Sequence, residues 1–254
     1  MKENRLKRQL AAGEITVGTF CVVPNATVVE ALGVAGLDFV ILDTEHGPIS
    51  IETCEDLVRA ADVSGTTPII RVSLNQADLI LRALDIGAGG VQVPQCGSGD
   101  DAERIVRAAK YHPRGERGVS IFTRAGGYVG SPDHAASCNS EQLVVAHIEG
   151  VHGVENLDDV LAVDGIDVIF LGPYDLSQSL GITGQVDHPK VRDTLEKCAA
   201  KSRAAGRWVG SYAKDVAMAK WLISIGVQYI ATLVDAAGIV LFYRQLAAAI
   251  REKA

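Results

Sequence analysis

Asp43, Glu45 and His46 close an apolar run in VILDTEHGPI, residues 40–49. Three titratable groups within four positions invite acid–base chemistry. An imidazole ordinarily titrates near neutrality, so His46 can take up and release a proton in a catalytic cycle. Other apolar runs end in a similar way. PIIRV brings Arg71 to its end, where a guanidinium can hold a carboxylate through two parallel hydrogen bonds. VVAHIE ends in Glu149, and FLGPYD ends in Asp175. A carboxylate is expensive to bury without a partner. Two of them with waters suit a hard cation, Mg2+ or Mn2+, better than structural Zn2+. Taken singly, each group has an ordinary alternative: a salt bridge for Arg71, a cap or ion pair for the acids, a structural role for His46. What matters is whether the fold gathers them.

The elements that would do so alternate along the chain. β-rich segments stand near 16–22, 39–43, 68–72, 90–94, 143–149, 167–172, 207–212 and 228–233. Several are continuous apolar runs, as parallel strands covered on both faces require. Helical patterns lie between them, one entering at Ser50 and ending at Gly65. Eight strands joined mostly by helices predict a TIM (β/α)8 barrel, an α/β fold, rather than an open sheet. A dinucleotide-binding open sheet would carry Gly-x-Gly-x-x-Gly after its first strand, and this chain does not. In a barrel, groups at the ends of different strands converge on the C-terminal rim. The segment 110–142 is too long and too rich in Gly, Pro and polar residues for an ordinary connection, and reads as an active-site or subunit-contact loop. The last stretch, GIVLFYRQLAAAI, reads as a helix whose apolar face covers its own barrel or packs on another subunit.

Length and composition set the frame. With 254 residues and 48% hydrophobic content, one barrel domain spanning 1–254 has core enough without disulfides. A net charge of -7 and the lack of aromatics interleaved with basic runs argue against a nucleic-acid partner. No window resembles an uncharged membrane span of about 20 residues, and the N-terminal stretch lacks a signal core. Five scattered cysteines form no C-x-x-C pair, which predicts reduced thiols and a cytoplasmic setting.

The motifs together resemble the HpcH/HpaI family of divalent-metal-dependent class II aldolases. GLDFVILDTEHGP, PIIRV, RALDIGAGGVQVP, YHPRGERG, HIEG and GVENLDDVLAVDGIDVIFLGPYDLSQSLG carry the resemblance over most of the chain. It implies reversible cleavage of a 4-hydroxy-2-oxo acid to pyruvate and an aldehyde. A sugar-acid or acyl-CoA lyase, or a noncatalytic ketoacid-binding barrel, stands as the alternative. The resemblance makes His46 the base, with Asp43 engaging metal-bound water and Arg71 holding the ketoacid and its enolate. It gives Mg2+ (or Mn2+) to Glu149 and Asp175, and sets Gly172, Pro173 and Tyr174 beside the ketoacid. It has Asp85 orient the histidine from a neighbouring subunit of a homohexamer. One departure stands out: relatives commonly carry Gln two residues before the first metal-binding Glu, and this chain has His147. Strand alternation puts His147 on the Glu149 side, where it is expected to approach the substrate or the metal.

Overall fold

The computed structural model describes residues 3–252. Eight parallel strands close in sequence order: β1 Thr16–Cys21, β2 Phe39–Asp43, β3 Thr67–Arg71, β4 Gly90–Val93, β5 Leu143–Ile148, β6 Val168–Leu171, β7 Trp208–Ala213 and β8 Tyr229–Val234. β8 returns to β1 through the pairs Thr16–Tyr229 and Val17–Ile230, which seals the sheet. The expected barrel is present.

Strand alternation divides the apolar residues into two cores. Val40, Leu42, Ile70, Val91, Val144, Ile148 and Ile169 face outward and pack with the surrounding helices. Phe39, Ile41, Ile69, Val145, Val168, Phe170 and Tyr229 face inward and fill the barrel, joined by Leu6 and Leu10 of the N-terminal helix Arg5–Ala11. That inner layer needs a small partner for its aromatics. A Cβ at Gly18 would fall 2.3 Å from the Phe39 ring, so only glycine lets β1 pass there.

The helix Ile51–Ser64 begins as its sequence predicts, with the Ser50 hydroxyl accepting from the Thr53 amide at 3.2 Å. Segment 110–142 contains a short 3-10 turn, Arg124–Gly126, and the helix His134–Glu141. Buried polar groups tie its two ends together. Lys110 Nζ donates to the carbonyls of Asn139 and Gln142, at 3.0 and 2.8 Å, and Arg117 donates to the Gln142 side chain at 2.6 Å.

The last helix, Asp235–Arg251, is anchored at its start: the Asp235 carboxylate accepts from the amides of Val22 and Val23 at 3.1 and 3.0 Å. Beyond that it meets the barrel through β1 and β8 and leaves Ile239, Val240, Leu241, Phe242, Tyr243, Leu246 and Ile250 exposed. Of the two sequence expectations for this helix, covering its own barrel is not what it does. Among the described residues, no helix is long and apolar enough to cross a membrane.

Candidate active site

Parallel pairing sets Asp43 of β2 beside Arg71 of β3. Both are interior positions at the C-terminal rim, so the two buried side chains meet over the core. Arg71 Nε and Nη2 donate to the two oxygens of Asp43 at 2.8 and 2.5 Å, a bidentate clasp. Its Nη1 lies 3.0 Å from Glu45 Oε2, and its Cζ stands 4.6 Å from the centre of the Phe20 ring. Asp43 Oδ1 also accepts from the amides of Glu45 and His46, at 3.1 and 3.3 Å, and so folds the Thr-Glu-His turn back over the rim. His46 projects from that turn, its side chain 67% exposed and Nε2 4.0 Å from Glu45 Oε2. Burial raises the Glu45 carboxyl above its ordinary range against the pull of Arg71, and nearby Glu149 adds to the rise.

Glu149 follows β5 directly. Its Oε1 accepts from the Gln95 amide at 2.8 Å and its Oε2 meets His147 Nδ1 at 2.9 Å. Burial opposes ionisation here, but His147, the Gln95 N–H and Arg71 outweigh it, and Glu149 is held well below the usual carboxylate range. Gly172 is required beside it, because a Cβ there would lie 2.6 Å from Glu149 Cβ. Asp175 stands in the first turn of the helix Pro173–Ser179, exposed and with no hydrogen bond or ion pair among the described residues.

A cavity of about 450 Å3 gathers Asp43, His46, Arg71, His147, Glu149, Gly172, Pro173, Tyr174 and Asp175, with Phe20, Phe170 and Tyr212 as walls. An adjoining cavity, lined in part by Glu45 and Gln95, shares His46, Glu149 and Asp175. The two carboxylates fit a hard cation. Glu149 is held ionised by partners on both oxygens, and Asp175 is unpaired among the described residues. Among the described residues, no group of three or more His, Cys, Asp or Glu is placed to hold a metal ion. Mg2+ commonly takes one or two carboxylates and completes its shell with water and substrate.

Two predicted residues behave differently from the rest. Asp85 ends the helix Ala77–Asp85, whose other end faces the rim, and its carboxylate accepts from Arg117 Nη2 at 2.5 Å. It does not line the cavity with His46 of the same chain. His147 is on the Glu149 side as alternation requires, but both ring nitrogens meet protein partners, Glu149 and Gln92. Sequence reading missed Phe20, Phe170 and Tyr212, although Phe170 stands two residues before Gly172 and alternation points it inward. Gln95 acts through its backbone N–H, which no residue type announces.

The HpcH/HpaI aldolase/citrate lyase family matches residues 16–239. A 5-keto-4-deoxy-D-glucarate aldolase of Citrobacter koseri is 36% identical over 228 residues, covering 90% of this chain and 89% of that relative. The crystal structure of an HpcH/HpaI aldolase/citrate lyase family protein from Burkholderia cenocepacia has a TM-score of 0.93 at 30% identity, over 98% of this chain and 99% of that one. The citrate synthase SbnG has a TM-score of 0.86 at 33% identity, over 98% and 96%. With barrel and sequence in agreement over nearly the whole length, this chain belongs to the HpcH/HpaI aldolase/citrate lyase family, a class II metal-dependent aldolase fold.

Proposed function

We propose that the protein is an aldolase that reversibly cleaves a 4-hydroxy-2-oxo acid to pyruvate and an aldehyde. The observation that carries this reading is the rim cavity that Arg71, His46, Glu149 and Asp175 line together. Glu149 and Asp175 would hold a divalent cation, Mg2+ or Mn2+, which when bound supplies Lewis-acid stabilisation of charge on the ketoacid oxygens. Arg71, held rigid by Asp43, presents its guanidinium to the ketoacid and to the negative charge that grows as the carbon–carbon bond breaks. His46 accepts the C4 hydroxyl proton in cleavage, through a positioned water, and the enolate left by the bond break takes up a proton at its terminal carbon to become pyruvate; the reverse direction removes that methyl proton before the enolate adds to the aldehyde. Gly172, Pro173 and Tyr174 flank the ketoacid, and Asp85 of a neighbouring subunit orients His46. His147 tunes the site from beside Glu149. The protein works as a homohexamer in the cytoplasm, where its five free cysteines stay reduced. A second reading, a lyase of a sugar-derived acid, draws on the likeness to a 5-keto-4-deoxy-D-glucarate aldolase.

The test is pyruvate release from a panel of 4-hydroxy-2-oxo acids that includes sugar-derived ones. Metal-stripped protein should lose turnover and regain it with Mg2+ or Mn2+. Full activity after verified metal removal would rule the mechanism out. The ranking across the panel separates the two readings.

A further inference from the structure

Beneath the cavity a line of buried polar side chains runs inward from Glu149. His147, Gln92 and Tyr229 are 1%, 0% and 0% exposed. His147 Nδ1 lies 2.9 Å from Glu149 Oε2, and His147 Nε2 lies 2.5 Å from Gln92 Nε2. The Tyr229 hydroxyl, reaching over from β8, donates to Gln92 Oε1 at 3.1 Å. Stacked rings fix both ends. His147 lies on Phe170 with centroids 4.5 Å apart, and Tyr229 lies on Phe39 at 4.0 Å. Burial holds the Tyr229 hydroxyl far above its ordinary range, so it remains a donor.

The donors and acceptors along this line admit one neutral arrangement. The Tyr229 O–H occupies Gln92 Oε1, which turns the amide N–H towards His147 Nε2. That nitrogen must then offer its lone pair, so the ring proton sits on Nδ1 and is donated to Glu149 Oε2. The reversed amide would face Oε1 to the imidazole and require a proton on both ring nitrogens. We infer that Tyr229 and Gln92 are positioning residues that fix His147 as its Nδ1–H tautomer and thereby aim the Glu149 carboxylate. With the Gln95 amide on Oε1, each carboxylate oxygen then has one donor and keeps a lone pair for the cavity. The role given to Glu149 rests on the proposed function; the tautomer does not.

Full-length protein labelled with 15N-histidine reads the tautomer directly. The His147 signals are identified by their loss in His147→Gln. A pyridine-type Nε2 and a pyrrole-type Nδ1 are expected in the parent. Tyr229→Phe keeps the stacked ring and removes only the hydroxyl; it should let the amide reverse and put a proton on Nε2 as well as Nδ1, and Gln92→Met removes the amide altogether. Mn2+ affinity, read by electron paramagnetic resonance, should fall about tenfold in both. A doubly protonated or Nε2–H His147 in the parent would overturn the inference. So would a Tyr229→Phe protein with both parental signals and parental Mn2+ affinity. If Gln92→Met does not fold, Tyr229→Phe alone decides. Absence of lyase turnover with the nitrogen pattern intact counts against the proposed function and leaves the tautomer standing. Absence of Mn2+ binding in the parent removes the cation role, and the nitrogen signals still judge the relay.

Discussion

The Arg71–Asp43 clasp is where residue identity matters most. Lysine would keep the positive charge but offers one nitrogen, and three guanidinium nitrogens are in use here: two on Asp43 and one beside Glu45. Arg71→Lys should therefore weaken ketoacid binding by about 1.5–3 kcal/mol, the range for a hydrogen bond to a charged group, measured as a pyruvate dissociation constant. His46→Ala should fold normally, since the side chain is largely exposed, and should lower turnover roughly 100- to 10,000-fold, as loss of a general base does. Near-parental pyruvate proton exchange in both variants would reject these roles. These residues were legible because each is a charged or titratable side chain closing an apolar run. Gln92 and Tyr229 were not, since a polar residue inside a strand looks the same whether it faces a hydroxyl across the barrel or a helix outside it.

The long connection 110–142 is held together by a group that the sequence does not announce as buried. A neutral amine has two N–H groups, and Lys110 Nζ donates to two carbonyls inside the protein. A charged ammonium would leave a third N–H to satisfy. Burial, against the attraction of Asp167, pushes Lys110 down to about 8. Unfolded, it would titrate near 10.4. Between those values the unfolded chain holds a proton that the folded one lacks, so stability rises with pH across that window. Below about pH 8 both forms are charged and the full penalty applies. Relative to Lys110→Met, the parent should thus gain about 3 kcal/mol between pH 7 and 10.5, read by denaturant unfolding at several pH values. A stability difference that stays flat with pH would contradict the arrangement. Length and composition marked this segment as unusual, but a lysine reads as a surface residue, and only the fold shows its ammonium inside.

At the scale of the whole molecule, the barrel could be read directly from eight apolar runs, while the exposure of the last helix could not. Periodicity marks a helix face as apolar without saying what covers it. The last helix leaves seven large apolar side chains exposed over Asp235–Arg251, more than an isolated surface helix ordinarily shows. Replacing Leu241 and Phe242 with Glu should shift sedimentation towards smaller species. If Asp85 serves a neighbouring His46, turnover should fall with it while divalent-cation binding persists; a fully active monomer at working concentration would sink the shared site.

The five cysteines give this chain a property of another kind. Each is buried: Cys21 in β1, Cys54 in the helix Ile51–Ser64, Cys96 after β4, Cys138 in the helix His134–Glu141, and Cys198 in the helix Pro189–Ala204. Burial pushes Cys54 and Cys96 up to about 12 and Cys198 to about 11, and raises Cys21 and Cys138 as well. Thiolate, the reactive form, is thus scarce and shielded in the closed molecule. An alkylating reagent therefore keeps time for the fold: each thiol records how often its own part of the barrel opens, and the chain carries five such clocks without any added label.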